Sequence, residues 1–157
     1  VVELLREELG PEAEDLTYVP GGGGYFLAVK TAKTVVRIDD LGDGVRSALL
    51  TSMLVLAYKP TVLLLEEPEL HMHLAGLYTY MRFILKLAKE TGFQVIASTH
   101  SIELAQITQD LARELGVELA ILYLERENDV LKARSFSVDE FEVLRKLGVD
   151  VRLLHRF

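Results

Sequence analysis

Two adjacent carboxylates close an uninterrupted apolar run in the segment Thr61-Val62-Leu63-Leu64-Leu65-Glu66-Glu67-Pro68-Glu69. An apolar run without alternation reads as a strand covered on both faces, the pattern of parallel sheets. Charge delivered from such a strand is costly near a dry interior unless a cation or hydrogen bonds compensate it. Mg²⁺ suits the position, because it takes oxygen ligands and keeps waters. One carboxylate, Glu66, can hold the metal while its neighbour, Glu67, orients or deprotonates an attacking water. Pro68 biases Glu67 toward extended backbone. A second polar cluster, Thr99-His100-Ser101, follows the apolar run Phe93–Ser98, and a glycine-rich loop, Leu41-Gly42-Asp43-Gly44, precedes another apolar stretch. His71 and His73 stand close behind the acids, and a His-x-His pair near acids is also a metal-ligand pattern.

The elements that must carry these residues can be read from periodicity. Val2–Leu9 has a helical stripe that ends at Gly10-Pro11, and a turn-rich stretch ending in Gly21–Gly24 reads as a flexible loop. Tyr25–Lys30 and Lys33–Ile38 read as a hairpin, Asp39–Gly44 as a loop, and Val45–Tyr58 as a helix apolar on most sides and therefore buried. Strand Thr61–Leu65 is followed by a helix over His73–Glu90, strand Phe93–Ser98, and a helix over Ile102–Leu115 capped by Ser101. A second hairpin, Glu118–Glu125 with Val130–Ser135, precedes a helix opened by the capping box Ser137–Glu140. Strand and helix alternate in the middle of the chain, which predicts an α/β fold with right-handed crossovers. In such sheets ligands bind beyond the carboxyl ends of the strands, where Glu66, Glu67 and His100 fall.

Composition bounds the function. The 157 residues are 50% apolar and 26% charged, a globular balance. There is no cysteine, so disulfide and thiolate chemistry are excluded. A formal charge of −7 argues against this segment acting alone as a non-specific polyanion binder. No apolar run reaches the ~18 residues of a membrane helix and no secretory signal is visible, so a cytoplasmic protein is expected. Absence of tryptophan, a single asparagine and many Glu, Lys and Arg suggest a thermophilic source. The chain begins with Val1, and we expect a piece of a longer protein.

Leu63–His73 resembles the Walker B segment and following loop of ATP-binding-cassette (ABC)-type ATPases, most closely those of the overcoming-lysogenization-defect family and its AAA-like relatives. Leu41-Gly42-Asp43-Gly44-Val45-Arg46 is similar to their signature loop, and Ala97-Ser98-Thr99-His100-Ser101 to their switch histidine. The three stand in the family's order, and the resemblance spans Tyr25 to Leu115, with a looser likeness in Leu147–Arg152. It implies the C-terminal part of a P-loop NTPase domain, with a mainly parallel sheet flanked by helices and peripheral β-hairpins. The chain would form one partial domain, 25–115 carrying the motifs and 116–157 a terminal hairpin and helix.

The resemblance also implies roles. Glu66 would hold Mg²⁺, Glu67 would polarise the water that attacks ATP, and His100 would sense the γ-phosphate. Gly42, Asp43, Gly44 and Val45 would reach the nucleotide of a second subunit in a head-to-tail homodimer, with His73 at the same interface. Free amides at a helix N-terminus suit that anion. Two positions depart from the family. Glu66 stands where an Asp is usual, and Gly42 where many relatives have a serine. A phosphate-cradling loop is absent: Gly24–Thr31 approaches the Gly-x-x-x-x-Gly-Lys-[Ser/Thr] pattern, but Val29 fills the second glycine and the stretch reads as a strand. The Walker A segment would therefore lie upstream, and this chain alone would be inactive. A nucleic-acid or nuclease partner is compatible with the resemblance. Two other readings stay open: a metal-dependent hydrolase using Glu66, Glu67, His71, His73 and His100, and a non-catalytic dimerisation module.

Overall fold

The computed structural model describes Val2, Arg6 and residues 12–70 and 72–149, with Asp43 and Glu127 described by their backbone. The N-terminal helix expected over Val2–Leu9 and the tail beyond Val149 fall largely or wholly outside the described residues, as do His71 and His155.

Three strands open the described chain as an antiparallel sheet in the order β1 (Ala13–Gly21), β2 (Gly24–Thr31), β3 (Val35–Arg37). The first strand corrects the expected loop. Its partner pairs run from Ala13↔Thr31 to Gly21↔Gly24, and Gly22 and Gly23 turn the chain with φ of 59° and 87°. Both turn residues need the left-handed region, which glycine enters without a Cβ penalty, so the glycine run closes a tight hairpin. Pro20 is tolerated because β1 is an edge strand. β3 stops at Arg37, sooner than expected, and a short 3₁₀ turn, Ile38–Asp40, leads to Leu41.

Helix α1 (Asp43–Tyr58) starts two residues earlier than the apolar pattern suggested, with Gly42 as its N-cap. Strand β4 (Val62–Glu66) and strand β5 (Gln94–Ser98) flank α2 (Leu74–Thr91) and pair in parallel, Val62↔Gln94 through Glu66↔Ser98. Parallel pairing is narrower than the resemblance implied. Among the described residues it involves these two strands, while the other two sheets are antiparallel. After β5 comes α3 (Ile102–Leu115), capped by the Ser101 hydroxyl accepting from the Leu104 amide. The hairpin β6 (Ile121–Glu127) and β7 (Val130–Phe136) turns through Asn128 and Asp129, both at positive φ. The predicted capping box at Ser137 is present, opening α4 (Val138–Lys146).

The main core joins Ala13, Val29 and Ile38 to Ala48, Leu49, Leu77, Met81, Ile84, Leu104 and Leu111. A smaller cluster of Val55, Leu87, Ala88 and Phe93 seals the far end of α2, and Leu63 and Val95 contact both clusters. One face of the β4–β5 pair is thus buried against helices. Its other face is open: Leu64 is 71% exposed and its in-register partner Ile96 49%. Leu50, Leu54 and Tyr58 of α1 are likewise exposed. The expectation of a strand covered on both faces and a helix buried on most sides is corrected here. Apolar pattern reports what a surface requires, and the described chain covers only one side of each element.

Candidate functional site

Parallel pairing decides where the acids emerge. Glu66 and Ser98 are the last partners of the ladder, so Glu66-Glu67 and Thr99-His100 leave the same edge of the sheet side by side. The Glu67 amide extends the ladder by one bond, donating to the Ser98 carbonyl at 2.9 Å, and the Leu70 amide then donates to the Glu67 carbonyl at 3.0 Å. Glu67 is held between these bonds at φ 43°, in the left-handed region. The extended geometry expected from the following proline is therefore corrected. The chain must turn immediately after the ladder to form the 67–70 turn, and the two bonds over-determine a conformation that non-glycine residues rarely adopt. Strain of this kind concentrates at sites where a side chain has to be aimed.

Glu66 is exposed at the strand end and Glu67 half-buried. The His100 imidazole Nε2 lies 3.8 Å from Glu67 Oε1, with its side chain 95% exposed. Glu69 joins the group from the turn: the Thr99 hydroxyl donates to its Oε1, and the Ser101 amide donates back to the Thr99 hydroxyl at 2.8 Å. The other carboxylate oxygen of Glu69 is buried and has no hydrogen-bond partner among the described residues. Sequence reasoning missed Glu69 as a participant, although it stood in the Glu-Glu-Pro-Glu string. An open cleft of about 1480 Å³ is lined by residues of β5, α3 and the β6–β7 hairpin, with Glu67, Thr99 and His100 among its walls.

His73 serves a local purpose. It is the N-cap of α2, and its Nδ1 accepts from the Gly76 amide at 3.2 Å. Gly42, Gly44 and Val45 sit at the start of α1, on a different element from the acids. A Cβ at Gly42 would meet nothing within 4 Å, so that position is open. Gly42, the N-cap, has no side chain with which to meet the first amides of the helix. Val45 packs against the main core.

The residues present fit a hard cation held mainly by a ligand. Glu66 offers an exposed carboxylate at the strand end, and Mg²⁺ commonly takes one or two carboxylates with phosphate and water completing its shell. Among the described residues no group of three His, Asp or Glu converges in the manner of a closed transition-metal site. Of the residues that the metal-dependent hydrolase reading invokes, Glu67 and His100 stand together, His73 caps α2, and His71 lies outside the described residues.

The fold is the P-loop NTPase fold seen in the C-terminal part of an SMC head. The chain belongs to the family described as "AAA domain, putative AbiEii toxin, Type IV TA system", whose sequence pattern matches residues 3–105. It is 29% identical to an uncharacterized protein of Methanocaldococcus jannaschii over 113 residues, 71% of this chain and 99% of that protein. Among solved structures it is similar to a chain from a study of ATP-driven dimerization and DNA-stimulated activation of SMC ATPases. The TM-score is 0.64 at 17% identity, covering 95% of this chain and 89% of the other. The Smc head domain of Pyrococcus furiosus bound to the C-terminal domain of ScpA gives a TM-score of 0.58 at 18% identity. That match covers 94% of this chain and 36% of the head chain. At these identities the structural likeness establishes the fold. No helix among the described residues is long and apolar enough to cross a membrane.

Proposed function

We propose that the chain is the C-terminal part of an ATPase that hydrolyses ATP between two head-to-tail copies, coupling closure and opening of the dimer to a partner activity. The observation that carries this reading is that Glu66-Glu67 and His100 leave the carboxyl ends of two parallel strands at one edge, with Glu67 Oε1 3.8 Å from His100 Nε2. Mg²⁺, when bound, supplies charge neutralisation for the β- and γ-phosphates, and Glu66 is the side chain placed to hold it. Glu67 accepts a proton from, or orients, the attacking water. His100, reaching out from the neighbouring strand, donates a hydrogen bond to the γ-phosphate and reports its presence. Gly42, Asp43, Gly44 and Val45 present the uncapped start of α1 to the nucleotide of the second copy. His73, at the start of α2, lies at that contact. The SMC ATPases to which the fold is similar are described as dimerising with ATP, which supports the dimeric form of the proposal. The narrower likeness to the overcoming-lysogenization-defect family, a cytoplasmic location and a nucleic-acid or nuclease partner belong to the same proposal.

The test uses the full-length protein with its Walker A segment. Mg²⁺-dependent ATP hydrolysis is expected to fall by about 10²- to 10⁴-fold in Glu67→Gln, while ATP binding and ATP-induced dimerisation persist. Hydrolysis in Glu67→Gln within threefold of the parent would remove Glu67 from the reaction. The present chain alone is expected to turn over no ATP, since it carries no phosphate-cradling loop.

A further inference from the structure

We infer that Glu69 is a positioning residue of this site: through the Thr99 hydroxyl it fixes the turn that sets His100 beside Glu67. The inference rests on the ATPase reading and adds a residue to it.

Thr99 and Ser101 are tied on either side of His100. The Thr99 hydroxyl donates to Glu69 and accepts from the Ser101 amide at 2.8 Å. The Ser101 hydroxyl accepts from the Leu104 amide at 3.1 Å and donates to Glu103 at 2.9 Å, anchoring the turn to the first turn of α3. Beyond the neighbouring strand β4, Glu69 lies two residues after Glu67, inside the turn closed by the Leu70 amide. The link therefore joins the loop carrying the water-polarising carboxylate to the loop carrying the histidine. It is the side-chain counterpart of the backbone bond from Glu67 to Ser98. With 95% of its side chain exposed, His100 gains little position from burial, and the tied turn beneath it fixes its backbone. A catalytic group set on a loop needs such support, because displacement by about 1 Å costs on the order of 10²-fold in rate.

In the full-length ATPase, Glu69→Ala and Thr99→Val are each expected to lower kcat by about 10- to 100-fold, with KM for ATP within twofold. Thr99→Ser and Glu69→Gln, which keep a donor and an acceptor at the link, should restore kcat to within about threefold. The double variant Glu69→Ala/Thr99→Val should be no slower than the worse single variant, because both remove one interaction. Amide hydrogen exchange at Ser101 provides a readout independent of turnover: it should accelerate in Thr99→Val and Glu69→Ala and return to the parent rate in Thr99→Ser. Effects that multiply in the double variant, a Thr99→Ser as slow as Thr99→Val, or Ser101 exchange indifferent to Glu69 would each overturn the inference. If the parent protein does not hydrolyse ATP, the ATPase reading fails, and the Ser101 exchange still decides whether Glu69 holds the turn.

Discussion

The backbone of Glu67 offers a test of whether the acidic loop stores strain. At φ 43° an L-residue brings its Cβ against the following carbonyl, at a cost of about 1–2 kcal/mol. Glycine escapes that cost but surrenders about 0.5–1 kcal/mol of backbone entropy on folding. Replacing Glu67 by Ala removes the carboxylate and keeps the Cβ, while replacing it by Gly removes both. The two variants share the loss of the 3.8 Å approach to His100, so their difference isolates the backbone. From these magnitudes Glu67→Gly should be more stable than Glu67→Ala by about 0.5–1 kcal/mol, the reverse of the order at an ordinary position. For a chain of this size that corresponds to roughly 2–4 °C in Tm per kcal/mol. Urea and thermal unfolding followed by circular dichroism would measure it. An Ala variant more stable than the Gly variant would refute the assignment of strain to this residue. Both variants should lack hydrolytic activity in the full-length protein, so the stability difference between them reads the backbone independently of activity.

Two further outcomes follow from the core and from the surface. Ile84 is fully buried in the main core where α2 meets the sheet and α3, so Ile84→Ala should cost about 2–5 kcal/mol in urea unfolding, and a loss under about 1 kcal/mol would mean the site collapses around the cavity. The Glu114 carboxyl is held below its usual range by the hydrogen bond from the Tyr78 hydroxyl and by Arg82, and the same bond raises the Tyr78 hydroxyl. A depressed carboxylate contributes stability that is present above its unfolded value and lost as pH falls through its folded one. The stability gap between the parent and Glu114→Gln should therefore be present at neutral pH and close as pH drops below the carboxylate range of about 4; a gap that is independent of pH would contradict the pairing.

Much of the site was legible before any coordinates. The apolar run ending in Glu66-Glu67, the strand ending before Thr99, the Ser101 cap and the Ser137 capping box all rest on local rules, in which a residue type meets the requirement of its own backbone. The helix over 102–115 needed only period and cap, and the structure places it there. Hidden from sequence was whatever depended on a partner element. The glycine run looked like a loop because nothing local shows that Gly21 and Gly24 pair across a turn. The open faces at Leu64, Ile96 and α1 were unreadable for a similar reason: apolar sequence states a demand for cover without saying whether the described chain meets it.

The sequence by itself determined which groups are available for chemistry and that three of them, the two acids and the histidine, would sit at strand ends. Tertiary structure decided the rest. The parallel register of Glu66 with Ser98 brings those strand ends to one edge. The bond from the Glu67 amide to the Ser98 carbonyl and the turn to Leu70 force Glu67 into the left-handed region against the bias of Pro68. The Thr99–Glu69 hydrogen bond spans 30 positions of sequence, and only folding brings its two ends within reach. Local rules act through neighbours along the chain, whereas the aim of a strand-end side chain is set by hydrogen bonds between strands that meet only in the folded sheet.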